Sequence, residues 1–323
     1  MTCNKRHKGF TLIEILVGLV LSGILSLILI NALRWVLLTG QKASRILLAR
    51  ERGERVIAFI EQRIRHCAFG LGACTSRELF QKALGKGTGK YLSPIASSSQ
   101  WPLIIYQDAS FKPAVNNNGV FKGAAFAVIY VQEAGLDIKI QNPELKILSP
   151  GQSIEYEKMH GDSDASRLIS SNQYQDIRSW CVMPSMGVPL HIDSFTVSGK
   201  LRLTLAASWP ENINLTPAGN LYRLMAERFF AVYNIFRFQR LRNTWEDLAS
   251  SGFPRERGIL ALYCEWRPAS KIFDLYILSS GGAAVFNKSS RPSDWPLDAD
   301  WQNEFEDHEL CVSKASWKIE NLN

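Results

Sequence analysis

The sequence lacks the short motifs that mark common catalytic and metal sites. It contains no H-E-x-x-H, no G-x-S-x-G and no G-x-x-x-x-G-K-[ST], the motifs of zinc proteases, hydrolases and nucleotide-binding loops. Its six cysteines include no C-x-x-C pair, so a zinc ribbon and a thioredoxin-like redox motif are excluded. The sequence therefore predicts no catalytic site and no cofactor, and we expect a protein that is not an enzyme.

The chain also has little excess charge outside its first residues. Its net charge is +7, from 37 basic and 30 acidic residues. Three of the bases, Lys5, Arg6 and Lys8, lie in the first nine residues, so 34 bases face 30 acids in the remainder. So small an excess does not indicate a dedicated nucleic-acid binder. Nucleic acid stays a possible partner that the sequence does not indicate.

Charge is missing altogether from Ile15 to Leu33, which is a run of nineteen residues. A helix over residues 10–33 would be about 36 Å long, enough to cross a hydrocarbon core of about 30 Å. We therefore predict that residues 10–33 are the transmembrane half of a long helix. The basic residues before it place that end in the cytoplasm by the positive-inside rule.

A secretory signal peptide and a plain signal anchor share this pattern of a basic start and an apolar run. A signal peptide should end in small residues at a cleavage site, whereas this run ends in Asn31-Ala32-Leu33-Arg34-Trp35. Neither alternative explains Glu14, because a carboxylate costs about 2.5–3.5 kcal/mol near the bilayer centre and less near its edge. An acid in this position needs a partner.

The heptapeptide Lys8-Gly9-Phe10-Thr11-Leu12-Ile13-Glu14 resembles the leader junction of type IV prepilins and type II secretion pseudopilins. The resemblance implies that prepilin peptidase cuts after Gly9, so residues 1–9 form the leader, and that Phe10 becomes the N-methylated first residue. It also implies that Glu14 pairs with the N-terminal amine of a neighbouring subunit. Such a pair is physically reasonable, because each buried charge offsets the desolvation cost of the other.

The helical pattern continues beyond the apolar run. Apolar and small residues at helical spacing predict an amphipathic half over residues 34–68; they are Ile46, Ala49, Gly53, Val56, Ile60 and Ile64. Glu51 precedes Arg55 by four residues and Glu61 precedes Arg65 likewise, which is the favourable order for ion pairs on a helix. We interpret the arginines of this half as a solvated face, with phosphate binding as the alternative; they are Arg45, Arg50, Arg52, Arg55, Arg63 and Arg65.

Residues 75–323 are predicted to form a β-rich globular domain. Leucines alternate with polar residues over 200–205, and residues 136–140 and 154–157 alternate in the same way. Four more apolar runs are predicted as central strands: 126–131, 229–238, 259–266 and 273–278. Residues 244–247 are interpreted as the cap of a short helix. The predicted fold is α+β, with a long N-terminal helix packed on a mainly antiparallel sheet, as in pilins.

Five cysteines remain after the leader, so at most two disulfides can form. On an unbroken helix Cys67 and Cys74 would lie about 10 Å apart, too far to bridge, but a turn between them makes a small disulfide loop possible. In pilins a C-terminal disulfide often closes a surface loop, and by that resemblance we expect Cys264 to pair with Cys311. Cys181 is then free or an alternative partner.

Asp298, Asp300 and Asn303 form the best candidate for a calcium site. They are rich in oxygen ligands, and Glu304 and Glu306 follow them. The segment lacks the glycine that an EF-hand loop has at its sixth position, and the sequence predicts no metal site there.

The leader, the acid at Glu14, the length and the β-rich remainder most resemble PilW-type minor pilins. This resemblance implies insertion into the inner membrane as a single-pass protein and incorporation into a type IV pilus with other pilin subunits. Such a filament lies in the periplasm or outside the cell and serves adhesion, twitching motility or DNA uptake. Two alternatives stay open: a minor pseudopilin of a type II secretion system, and a membrane-anchored binding module or enzyme whose leader match is accidental.

Overall fold

The computed structural model describes residues 11–84, 103–106, 121–123, 125–161, 177–196, 199–232, 234–241, 245–247, 256–286, 292–296 and 307–319. Its helices are α1 (Leu12–Arg65) and α2 (Arg77–Ala83). Its strands are β1 (Leu103–Tyr106), β2 (Phe121–Gly123), β3 (Ala125–Ile140), β4 (Ile147–Leu148), β5 (Ser153–Gly161), β6 (Trp180–Val182), β7 (Pro189–Phe195), β8 (Lys200–Thr204), β9 (Ile213–Asn214), β10 (Ala218–Val232), β11 (Ile235–Leu241), β12 (Trp245–Asp247), β13 (Ile259–Arg267), β14 (Ile272–Ala283) and β15 (His308–Lys318).

Helix α1 is continuous over 54 residues, and its two halves have different surroundings. No proline interrupts it, and a run of Leu and Ile favours helix in its first half. The helix ends at Arg65, after which Ala68 and Gly70 adopt φ angles of 65° and 73° and turn the chain. The N–H of Ala68 donates to the carbonyl of Ile129 on β3 at 3.2 Å, so the chain joins the sheet directly after the turn.

Six of the strands close into a small β-barrel, which we call the ring. Strands β3, β5, β8, β7, β6 and β10 pair in that order, and β10 pairs back to β3, always antiparallel. The interior is filled by large apolar side chains such as Ile138, Tyr156, Leu190 and Leu203. Helix α2 adds the buried ring of Phe80 to this cluster. Closure satisfies the backbone groups that an open sheet would leave at its edges.

Strands β3 and β10 are long enough to extend beyond the ring. Their extensions pair with β1 and β11 and form a layer that faces a second sheet, whose order is β15-β14-β13-β2. Side chains of β3 alternate between the two cores: Phe126 and Val128 face the second core, whereas Ala127 and Ile129 face the ring. The two cores are thus built on opposite faces of the same strands.

The second half of α1 packs on the second sheet and its core. Val56, Ile60 and Ile64 are buried there, which confirms the predicted apolar stripe of the helix. At the start of the stripe, the hydroxyl of Ser279 on β14 donates to the carbonyl of Ala49 at 2.6 Å. This contact requires a close approach of helix and strand, which the small residues Ala49 and Gly53 permit.

The long helix and the mainly antiparallel sheets confirm the predicted α+β class. Two local predictions are wrong. The apolar run 229–238 is a hairpin rather than one strand: Val232 pairs with Ile235, and Asn234 has a φ of 59°, which suits a tight turn. Residues Trp245–Asp247 form edge strand β12 instead of beginning a helix, because they pair with β11.

Candidate functional site

The first turn of α1 places Glu14 at the N-terminal end of the apolar helix. Its Oε2 atom accepts hydrogen bonds from the backbone N–H of Thr11 at 2.9 Å and from the Thr11 hydroxyl at 3.0 Å. The Thr11 hydroxyl in turn accepts from the N–H of Glu14 at 3.3 Å, which completes a capping box. The carboxylate therefore stabilises the helix end in the single subunit. Gly9 and Phe10 lie outside the described residues.

In the part of the chain that the structure describes, the first half of α1 is exposed along its length. Its large apolar side chains are exposed from Leu12, at 82%, as far as Leu37. Among the described residues, α1 is the one helix that is long and apolar enough to cross a membrane. Exposed apolar area of this extent is unfavourable in water, so this half requires lipid or neighbouring subunits around it.

The middle of α1 is held by the end of β14. A guanidinium nitrogen of Arg45 donates to the carbonyl of Ala283, and Nη1 of Arg52 donates to the carbonyl of Ser280 at 2.6 Å. Between these two carbonyls lies Gly281, whose backbone approaches the backbone of Arg45 closely. The helix therefore leaves the globular region in a fixed direction, directly after its exposed half.

A buried carboxylate on the sheet binds the C-terminal end of α1. Glu227 on β10 is fully buried and accepts from Nε of Arg63 at 2.7 Å. Arg240 on β11 donates to the other oxygen of Glu227 through Nε at 2.9 Å and Nη2 at 2.6 Å. The Arg63 guanidinium also lies 3.8 Å from the ring centroid of Phe59. We call Glu227, Arg63 and Arg240 the arginine clamp.

These contacts correct the prediction that all six arginines of this half form a solvated face. Arg50, Arg55 and Arg65 are exposed, and the predicted pairs of Arg55 with Glu51 and of Arg65 with Glu61 are both confirmed. Arg63 is only 13% exposed because it pairs with Glu227, which lies 164 residues further along the chain. The one sequence signal for this pair is the single acid in residues 224–230, an otherwise mostly apolar stretch of β10.

Neither predicted disulfide is present. Cys67 belongs to the second core and Cys74 to the core of the ring, so their thiols lie on opposite faces of the sheet. Cys264 lies on β13 and Cys311 on β15, with β14 between them; two strand spacings, about 10 Å, are too far for a bridge. Cys181 forms no disulfide with another described cysteine either. Burial raises the pKa of both Cys67 and Cys74 to about 12, so these thiols are unreactive at neutral pH.

The calcium candidate Asp298, Asp300 and Asn303 lies outside the described residues. Within the part of the chain that the structure describes, no three His, Cys, Asp or Glu side chains are grouped so that they could hold a metal ion. His191 is a buried histidine whose role is structural: its Nδ1 donates to Asp193 at 2.8 Å, and its ring packs edge-on against Trp180.

His191 is expected to make the stability of the six-stranded ring dependent on pH. Burial lowers its pKa, and the bond to Asp193 only partly opposes this effect. The unfolded chain therefore takes up a proton first as the pH falls, so the free energy of unfolding decreases below about pH 6.5. Unfolding midpoints at pH 7 and pH 5 should differ less in His191→Gln than in the parent chain. His66→Gln, at an exposed position, is the control; equal pH dependence in His191→Gln and the parent would contradict this role.

The N-terminal segment also matches a known family model. A family model described as the prokaryotic N-terminal methylation motif matches residues 4–30. Comparisons with curated proteins and with solved structures find no match for the chain. The matched range includes the basic first residues, Glu14 and much of the exposed half of α1. The chain therefore carries a type IV pilin-like leader, which indicates processing by prepilin peptidase, anchoring in a membrane and association with pilin-type subunits.

Proposed function

We propose that this protein is a minor pilin of the PilW type that is incorporated into a type IV pilus or initiates its assembly. The observation that carries the proposal is the match of the methylation motif to residues 4–30 together with the exposure of the same helix half. A helix half that is apolar all round and exposed among the described residues needs other helices or lipid as partners. Subunits of this kind are structural, and the filament serves adhesion, twitching motility or DNA uptake.

In the proposed maturation each predicted segment of the chain has its own role. Residues 1–9 are the leader that prepilin peptidase removes, and Phe10 becomes the methylated N-terminus. Residues 10–33 anchor the subunit in the inner membrane and later pack in the filament. Residues 34–68 join this segment to the β-rich domain of residues 75–323, which is exposed in the periplasm or outside the cell.

Glu14 is proposed to recruit the subunit into the filament. In the single subunit its Oε2 atom already serves as the acceptor for both Thr11 donors. A carboxylate has two oxygens with about four acceptor sites, so Glu14 is able to cap its own helix and bind the amine of a neighbour together. In an apolar environment such a contact stabilises both charged groups.

The test is Glu14→Ala in cells that express the remaining subunits. Leader removal should be unchanged, whereas the amount in purified filaments should fall by more than about tenfold, because an unpaired amine costs at least about 1.4 kcal/mol to bury. Glu78→Ala, on an exposed face of α2, is the matched control and should be incorporated normally. Normal incorporation of Glu14→Ala would remove the proposed role.

A minor pseudopilin of a type II secretion system would depend on Glu14 in the same way. The filament experiment is therefore repeated in one strain that lacks the pilus machinery and in another that lacks the secretion machinery. Incorporation lost only in the first strain supports the pilus subunit. Incorporation lost only in the second assigns the chain to secretion.

A further inference from the structure

A cavity of about 610 Å³ lies where α1 ends against the sheet. Its walls come from the last turn of α1, from β3, from β10 and from β11. Cavities of 300–1,000 Å³ are typical of small-ligand sites. We call it the helix-end cavity. It lies at the opposite end of α1 from Glu14, so an activity there is independent of processing and of the proposed assembly role.

One wall of the helix-end cavity is aromatic. The rings of His66 and Phe69 meet edge to face at 6.4 Å, and those of Phe69 and Tyr222 meet in the same manner at 5.6 Å. His66 is exposed, and its Nδ1 bonds the carbonyl of Gln62 at 2.7 Å, which fixes the ring on the cavity side of the helix end. Rings held in this way offer apolar faces to a flat or ring-shaped ligand.

Another wall is positively charged. Arg63 and Arg240 line the cavity and carry two positive charges against the single negative charge of Glu227. Each guanidinium has five N–H donors. Arg63 gives one to Glu227 and one to the carbonyl of Phe59 at 2.6 Å, and Arg240 gives two to Glu227. The arginine clamp therefore has a net charge of +1 and further donors, which suit a carboxylate.

The rim carries both hydrogen-bond donors and hydrogen-bond acceptors. Gln62 and Gln132 each offer an amide that donates and accepts, and Glu133 offers an acceptor; all three are exposed. Hydroxyl groups also donate and accept, so a ligand with several hydroxyls matches this rim. A polyanion matches it less well, because Glu133 would repel it.

From these two walls and the rim we propose that the helix-end cavity binds a saccharide that carries a carboxylate. The sugar ring packs on the rings of His66, Phe69 and Tyr222, its acid group binds further guanidinium N–H groups of Arg63 and Arg240, and its hydroxyls bond the rim. A subunit with this site would recognise acidic glycans as well as its filament neighbours.

The test uses the full chain in detergent micelles and saturation-transfer NMR with six sugars. The acidic probes are glucuronic acid, galacturonic acid and N-acetylneuraminic acid; the neutral probes are glucose, galactose and N-acetylglucosamine. At least one acidic probe should bind about tenfold more tightly than every neutral probe, the ratio expected from one charge-assisted contact. If none of the six sugars binds, or if acidic and neutral sugars bind equally, the proposal is overturned.

Variants locate the binding. Tyr222→Ala and His66→Ala should each weaken binding of the acidic probe by about tenfold or more. His66 is exposed, so its replacement leaves the fold intact even where Tyr222→Ala disturbs it. Phe286→Ala, which changes a partly exposed ring outside the cavity, is the control and should bind normally. Full binding in His66→Ala would overturn the assignment to this cavity, as would binding of a hexaglutamate peptide in preference to the sugars.

Discussion

Glu227→Ala is expected to lower the free energy of unfolding by about 3 kcal/mol, the cost of removing one partner from a buried ion pair. The change removes the acceptor that Arg63 and Arg240 share and leaves two largely buried positive charges facing each other. The midpoint of denaturant unfolding of the full chain in detergent micelles measures the effect. Hydrogen exchange should also rise over the last two turns of α1, because the clamp joins them to β10 and β11.

The matched control for Glu227→Ala is Glu51→Ala, which breaks the exposed pair of Glu51 with Arg55 on α1. Exposed pairs contribute about 0.2–1 kcal/mol, so this variant should unfold close to the parent. A second variant replaces Glu227, Arg63 and Arg240 together by leucine, which removes all three charges and should recover part of the loss. Equal stability of Glu227→Ala and Glu51→Ala would show that the clamp does not hold the helix.

Gly281→Ala is expected to cost about 2–3 kcal/mol, near the upper end for overpacked positions. A Cβ atom on Gly281 would overlap the carbonyl oxygen and the carbonyl carbon of Arg45. Both are backbone atoms, so no side-chain rotation relieves the clash and α1 must move away from β14. The bonds from Arg45 and Arg52 to the strand should weaken with it.

Thermal unfolding and hydrogen exchange of residues 45–56 measure this change. Gly72→Ala is the control, since a Cβ there meets no atom within 4 Å. The Gly72 variant should match the parent, whereas the Gly281 variant should melt at a lower temperature and exchange faster in the middle of α1. Unchanged exchange in the Gly281 variant would mean that the helix and the strand tolerate more separation than their contact suggests.

The sequence predicted the features that depend on neighbours close along the chain. The apolar run after Glu14, the stripe from Ala49 to Ile64 and the pairs on the exposed face of α1 follow from helical spacing alone. Alternation over residues 200–204 and 136–140 likewise identified real strands. These patterns need no knowledge of the rest of the fold.

Features that depend on distant pairing were not predictable. Ring closure requires β6 to meet β10 at Tyr222 and Arg223, which no local pattern encodes. The predicted Cys67–Cys74 disulfide failed for the same reason: a spacing does not reveal that these two residues face different cores. The hairpin between Val232 and Ile235 was missed because its turn uses Asn234 without the glycine that usually signals one.

The helix-end cavity illustrates both cases. His66 and Phe69 follow the end of the helical pattern, and the sequence could place them near one another. Tyr222 and Arg240 join them only because β10 and β11 run past the helix end. A search for motifs cannot find a site assembled from four separate elements in this way.

The central claim is that the N-terminus is a processed pilin leader, and intact-mass analysis with N-terminal sequencing tests it most directly. The chain is co-expressed with a prepilin peptidase, and a Gly9→Val chain serves as the control that the peptidase should leave uncut. We predict a product that begins at Phe10 and carries one additional methyl group. A product of full length, or one cut beyond the apolar half of α1, would contradict the account.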